Sequence, residues 1–242
     1  MADAVFEDSR LAAVYDPLDP DRSDLDAYVA MAEEFRAGSV LDVGCGTGTF
    51  ACLLAQRGIQ VSGVDPAMAS LDVARGKPGA GLVRWVHGDV TALPRLRVDM
   101  ATMTGNVAQV FLTDQEWNTV LRCTRAALRP AGRLVFETRD PARQAWREWN
   151  REESFQRVSI SGTGIVESWH DVTDVSGELV SFRSTVVFEA DGTVLTSDST
   201  LRFRQRSDIA GSLLAAGFTV DDVRDAPDRP GREFVFVASR SG

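Results

Sequence analysis

The chain has 242 residues, with 26 Lys+Arg against 35 Asp+Glu and a formal net charge of −9. Such an acid excess disfavours gripping a phosphate backbone or an anionic membrane, so nucleic acid and lipid surfaces are not expected as partners. Apolar residues at 44% and charged residues at 25% are the proportions of a chain that buries a sizeable core, which excludes a disordered polypeptide.

No run of ~18 apolar residues is present, and the N-terminal MADAVFEDSR carries acids where a secretory signal needs positive charge. A soluble, cytoplasmic protein is expected. Cys45, Cys52 and Cys123 are odd in number and lack paired metal-ligand spacing, so neither a disulfide framework nor a metal site is predicted. Lys77 is the only lysine, which reads as an effect of genomic base composition.

Apolar spacing at Leu25, Tyr28, Val29, Ala32 and Phe35 predicts a helix over 25–36, stopped at Gly38. Short continuous apolar runs then alternate with helical stretches. The strands are expected at Val40–Val43, Val61–Val64, Val83–Val86, Met100–Met103 and Leu134–Glu137, and the helices at Phe50–Arg57, Met68–Arg75 and Gln115–Leu128. Strands without polar alternation that take turns with helices imply a parallel sheet covered on both faces, a doubly wound α/β fold.

From about Phe155 to Arg206 the apolar period falls to about two, over Val158–Ile160, Gly164–Asp171, Leu179–Glu189 and Val194–Arg204. With turn signals at 175–178 and Asp191-Gly192, this block predicts an antiparallel β-sheet. The α/β signal returns in a helix capped by Ser207 or Asp208 and ended at Gly217, then strands at Phe218–Val223 and Phe234–Ala238. The expected organisation is a helical cap over 1–37, a core over 38–150 and 207–242, and an antiparallel insertion over 151–206 that covers substrate or forms a dimer surface.

Val40-Leu-Asp-Val-Gly-Cys-Gly-Thr-Gly-Thr-Phe50 runs from an apolar strand through Gly44, Gly46 and Gly48 into a helix. Glycines there allow a tight turn and the close approach of a ligand at the carboxyl end of the first strand. The second strand ends in Asp65, 21 residues after Gly44, where a carboxylate suits two ribose hydroxyls. Asp89, at the end of the third, suits an exocyclic adenine amine, with the Val90 amide on a ring nitrogen. Thr104, Gly105 and Asn106 follow the fourth strand and place small and polar groups beside such a ligand.

Together, Asp42-Val-Gly-Cys-Gly-Thr-Gly, Gly63-Val-Asp65-Pro66-Ala-Met68, Gly88-Asp89 and Leu128-Arg-Pro-Ala-Gly-Arg-Leu-Val resemble the successive motifs of class I S-adenosylmethionine-dependent methyltransferases. The resemblance implies a Rossmann-like seven-stranded sheet with its last strand antiparallel. The implied cofactor is S-adenosylmethionine, released as S-adenosylhomocysteine. Ala13-Val-Tyr15-Asp16, the alternating insertion and the closing Gly231-Arg-Glu-Phe-Val-Phe-Val are similar to the amino-sugar N-methyltransferases.

An activated methyl group needs alignment and exclusion of water more than covalent chemistry, so few catalytic side chains are expected. One general base is useful, and His170 is the candidate, against the alternative of a half-exposed strand histidine. His87 reads as structural. Tyr15 either closes over the site or packs a helix. Arg22 suits the methionine carboxylate of the cofactor, or is a solvated charge. Cofactor contacts are expected at Arg22, Asp42, Gly44, Cys45, Gly46, Gly48, Asp65, Pro66, Met68, Asp89, Val90, Thr104 and Gly105. Met68 lies against adenine by analogy with similar enzymes, and Cys45 simply fits its space.

Substrate contacts are expected at Asn106, Gln109, Phe111 and Trp169, with Trp146 and Trp149 as further aromatic walls or else as core. Thr104-Gly-Asn-Val replaces an Asn/Asp-Pro-Pro-Tyr motif, which argues against methylation of adenine or of a glutamine amide. No Pro-Cys nucleophile is present for pyrimidine C5 chemistry. The expected reaction is methyl transfer to N or O of a small molecule by a monomer or homodimer. The alternatives are a non-catalytic module binding the cofactor or its product and a nicotinamide-dependent oxidoreductase; Thr49 in the last glycine position of a dinucleotide fingerprint argues against the second.

Overall fold

The computed structural model describes residues 2–241. Two short helices, α1 (Ala4–Glu7) and α2 (Ser9–Leu18), precede α3 (Asp26–Glu34). The α/β section runs β1 (Ser39–Val43), α4 (Thr49–Gln56), β2 (Gln60–Asp65), α5 (Met68–Arg75), β3 (Val83–His87), β4 (Val98–Met103), α6 (Asp114–Ala127) and β5 (Leu128–Arg139). After α7 (Arg151–Ser154) come β6 (Gln156–Ile160), β7 (Gly164–Ser176), β8 (Leu179–Phe188) and β9 (Thr193–Arg202). The chain closes with α8 (Arg206–Ala215), β10 (Phe218–Asp225) and β11 (Glu233–Arg240).

The first sheet has seven strands in the order β10-β11-β5-β4-β1-β2-β3, and β11 runs antiparallel to both its neighbours. Every residue of β1 is buried, as expected of a strand with helices on both faces. One face packs Leu25, Tyr28, Phe50 and Leu54 from α4 and the α3 region. The other packs Trp117, Leu121, Ile209 and Leu213 from α6 and α8. The order of β1 to β4 reverses direction at β1, which opens a crevice at the carboxyl ends of β1 and β4.

The second sheet is a four-stranded antiparallel meander, β6-β7-β8-β9. Ile160, Val166, Val186 and Phe188 on it enclose a small core with Leu11 and Val14 of α2. Thus α2 packs its buried face, with Leu11 and Val14, against the inserted sheet, a placement that its ten residues and internal Pro17 do not announce.

Three local readings shift. The helix after β9 starts at Arg206 rather than being capped by Ser207 or Asp208, because the amides of Asp208 and Ile209 both donate to the Gln205 carbonyl. Strand β5 extends from Leu128 to Arg139, since its register with β11 continues past Glu137. The stop after α3 falls at Arg36, which takes φ +51 two residues before Gly38.

Candidate active site

At the carboxyl end of β1 the chain turns on the amides of Gly44 and Cys45, both donating to the Val64 carbonyl, and Gly48 donates to Cys45. The three loop glycines differ in what they leave room for. A Cβ on Gly44 would lie 2.7 Å from Val107, and one on Gly48 would lie 2.5 Å from Trp85, so both allow close packing inside the protein. A Cβ on Gly46 would meet nothing within 4 Å, and the same holds for Gly105 at the end of β4. Gly46 and Gly105 therefore border open space, a cradle that a side chain would fill.

Acidic groups stand around that cradle. Asp65 caps the turn after β2, its Oδ2 accepting from the Gly46 amide and its Oδ1 from the Ala67 amide, each at 2.8 Å. Burial raises its pKa against the pull of those two donors. Asp42 is 1% exposed and accepts from Thr102 Oγ1 at 3.0 Å; burial, with Asp65 nearby, pushes its pKa up to about 7. Asp89 is exposed and held low by the Thr91 hydroxyl and amide. Val90 is buried behind it. Carboxylates at β1 and β2 and the open backbone at Gly46 fit a ligand that carries ribose hydroxyls and a positive charge.

Cys45 is buried, its Sγ against Gly63, and burial pushes its thiol well above the ordinary range, so it fills space and is no nucleophile at neutral pH. His87 Nε2 lies 3.0 Å from the Pro66 carbonyl and holds the turn that carries Asp65. The Met68 amide donates to Glu7, and the Ser70 hydroxyl donates to the Phe6 carbonyl, so the N-terminal segment lies directly over the start of α5.

The N-terminal segment is also tied to the glycine loop. Asp16 accepts from Thr47 Oγ1 at 2.7 Å and pairs with Lys77 Nζ at 2.6 Å, and Lys77 also reaches Thr49. The sole lysine thus ties the N-terminal segment to the glycine loop. Hydrogen bonds to charged groups of this kind contribute about 1.5–3 kcal/mol. Lys77→Ala is expected to speed amide exchange across α2 roughly tenfold or more. Exchange at the wild-type rate would mean that the segment is held without Lys77, by the Leu11 and Val14 packing and the remaining hydrogen bonds.

Beside Gly105 lies a cavity of about 310 Å³, walled by α2, the segment 19–28, the ends of β4 and β5, the inserted sheet and residues 228–233. Tyr15, Arg22, Gly105, Asn106, Trp169 and His170 line it. Arg22 is paired with Asp24 through two hydrogen bonds. The Tyr15 ring is 37% exposed and packs on Phe6, while burial of its hydroxyl raises the pKa, so it is a donor phenol at neutral pH. Nδ1 of His170 lies 2.9 Å from the Ser184 hydroxyl, and burial lowers the pKa of the ring, which leaves it neutral at pH 7.

Other expected substrate contacts lie elsewhere. Phe111 packs on Trp117 in the core beside α6, and Gln109 is fully buried with its Oε1 accepting from Arg139. Neither lines the cavity, because the turn at 107–109 folds them back under the inserted sheet. Trp146 stacks edge-on against Phe203 and Trp149 packs against Phe182, so both anchor the connection to the inserted sheet. Conversely, Glu137, Arg139, Arg229 and Glu233 line the cavity without having stood out in the sequence. The available signal was an acid near the carboxyl end of an apolar strand, the same position that Asp42 holds on β1.

Residues 40–132 match a family described as a methyltransferase domain. The cypemycin N-terminal methyltransferase of a Streptomyces species is 32% identical over 117 residues, which are 48% of this chain and 48% of that protein, so the match spans about half of the relative's length. Among solved structures, the CcbJ methyltransferase from Streptomyces caelestis superposes with a TM-score of 0.76 at 24% identity, over 96% of both chains. The SAM-bound CalS10, an amino pentose methyltransferase from Micromonospora echinaspora, gives a TM-score of 0.69 at 24% identity, over 92% of this chain and 93% of that one. At these identities the structural likenesses speak for the fold. With the glycine loop, the acids that end β1 and β2 and the strand order all in place, residues 40–132 match the methyltransferase domain family, and the chain as a whole shares the fold of the CcbJ methyltransferase.

Proposed function

We propose that this protein transfers a methyl group from S-adenosylmethionine to a nitrogen or oxygen atom of a small molecule held in the cavity beneath the inserted sheet, leaving S-adenosylhomocysteine. The observation that carries this reading is the room left at the carboxyl ends of two adjacent strands: a Cβ on Gly46 after β1 would meet nothing within 4 Å, and Gly105 after β4 lines the cavity of about 310 Å³. That volume suits a small acceptor.

Asp65 would hold the ribose, Asp89 and Val90 the adenine with Met68 against it, and Asp42, Thr104 and Arg22 the methionine end. The bound cofactor supplies a methyl group on a positively charged sulfur, already activated for displacement. What the chain supplies is position and dryness. The cap of residues 1–37 and the insertion of 151–206 wall the cavity, so that an acceptor is aligned and water kept out. Tyr15 offers a hydroxyl donor. His170, neutral at pH 7, offers a ring able to take up a proton.

Calorimetric titration is expected to show micromolar binding of S-adenosylmethionine and S-adenosylhomocysteine and no heat with NAD. Incubation with methyl-labelled cofactor and a metabolite extract is expected to label a small molecule. Binding of NAD alone would overturn the reading, and label appearing in protein or RNA instead would overturn the substrate class.

A further inference from the structure

Two buried acceptors at the cavity wall have no partner. Glu137, at the end of β5, is 6% exposed, and its Oε1 accepts from the Asn106 amide at 3.0 Å while Oε2 accepts from nothing. Asn106, 4% exposed, is likewise left with an unpartnered Oδ1. The orientation of its amide follows from its neighbour: Nδ2 faces both carboxylate oxygens of Glu233 at 3.3 and 3.4 Å, and a flipped amide would set oxygen against oxygen. Buried acceptors without donors are costly in a native protein, so this pair calls for a group with at least two hydrogens to give.

Of the other acids that line the cavity, Asp19 is exposed to water and the rest have an arginine partner. Arg229 bonds Glu233 at 2.9 Å and lies 3.4 Å from Asp228, and Arg22 pairs with Asp24. Arg139 is spent on Gln109 and, at 3.8 Å, on Glu233. Tyr15 and His170 also line the cavity, but no hydrogen bond joins either to Glu137 among the described residues.

Resting on the methyltransferase reading above, we propose that Glu137 and Asn106 form the seat of the acceptor's reacting group and that this group is an amine, with Glu137 Oε2 as the catalytic proton acceptor. An ammonium offers hydrogens to Oε2 and to Asn106 Oδ1 together, whereas a hydroxyl has only one. One proton passes from the ammonium to Oε2, which frees the nitrogen lone pair. That pair forms the new C–N bond as the C–S bond breaks with its electrons left on sulfur, and the N-methylated ammonium carries the charge away. Glu137 then returns its proton to solvent as product leaves, so the site is reset without a co-reactant. His170 becomes a wall of the pocket, held by Ser184.

The test uses two probes of one shape, cyclohexylamine and cyclohexanol, titrated into protein saturated with S-adenosylhomocysteine. Binding is followed by calorimetry and by the carboxyl ¹³C signal of labelled glutamate. Cyclohexylamine is expected to bind, to shift one carboxyl signal that is missing in Glu137→Gln, and to bind more tightly at pH 8 than at pH 6, because burial and Glu233 place the Glu137 pKa at about 7. Glu137→Gln and, independently, Asn106→Gly, whose backbone already has φ +61, are each expected to weaken the amine at least tenfold and to leave cyclohexanol unchanged. No amine binding in the wild type, equal amine binding in both variants, or cyclohexanol binding as tightly as the amine would each overturn the proposal. S-adenosylhomocysteine binding in the same samples separates the two readings, since its absence in the wild type would overturn the methyltransferase assignment instead.

Discussion

Gly46→Ala is expected to fold, to melt within roughly 8 °C of the wild type, and to bind S-adenosylmethionine at least a hundredfold more weakly. The reason lies in what surrounds that Cβ. Gly46 has φ +52, so alanine costs about 1–2 kcal/mol of backbone strain, and each kcal/mol is worth roughly 2–4 °C in a chain of this size. No protein atom lies within 4 Å of the added carbon, so no packing is lost. The methyl enters the space reserved for the ligand, and a hundredfold loss corresponds to about 2.7 kcal/mol. Gly48→Ala makes the contrast, because its Cβ would lie 2.5 Å from Trp85 and 2.7 Å from Ala74, and its main loss should be in stability. Calorimetry and thermal melting on both variants check the pair. Wild-type affinity in Gly46→Ala would show that the cofactor does not lie in this cradle.

The ligand-free protein is expected to lose stability as pH rises from about 5 to about 7. Asp42 and Glu137 both have their pKa raised to about 7 in the fold, by burial first and then by Asp65 and Glu233 as neighbouring acids, against a carboxylate value near 4 when unfolded. Between those values the folded chain holds protons that the unfolded chain has released. Stability from these groups is therefore complete below about 4 and falls by up to about 1.4 kcal/mol per pH unit for each group until about 7. His170 works in the opposite sense, since its lowered pKa favours the fold as pH rises toward its unfolded value. Acids held low by donors, such as Asp89 and Asp99, act only below about pH 4.

Glu137→Gln removes one of the three raised carboxyls, Asp42, Asp65 and Glu137, while Gln Oε1 can still accept from the Asn106 amide. The variant is expected to melt several degrees above the wild type at pH 8, to lose that advantage at pH 5, and to show a shallower slope than the wild type between them. Melting curves at pH 5, 6, 7 and 8 measure this directly. A wild-type melting temperature that rises steadily from pH 5 to 8 would contradict the burial of both acids.

Much of the proposed nucleotide half of the site was legible because its parts lie on single elements or adjacent ones. The run into Gly44 and Gly46, Asp65 at the end of β2 and Asp89 after β3 each sit where a strand's carboxyl end must place them once the sheet is parallel. The acceptor half was not legible in the same way. Asn106 meets Glu137 across 31 residues of sequence and Glu233 across 127, and nothing in any of the three local segments marks them as partners. Phe111 and Gln109 stood at the right distance from β4 but turn inward, a choice made by how the 107–109 turn packs.

The amino-acid sequence by itself determined the alternation of buried strands and helices, the switch to period-two strands in the insertion, and the glycine and acid signature of the proposed cofactor site. All of these follow from backbone sterics and from which faces must be apolar, which act within a few residues. Tertiary structure alone decided that α2 closes between the inserted sheet and the glycine loop, that Lys77 latches it through Asp16, and that Glu137 and Asn106, each with a buried unpaired oxygen, line one cavity. Burial and charge pairing between distant segments have no local period, and they come into existence only when the inserted sheet folds over the carboxyl ends of the first.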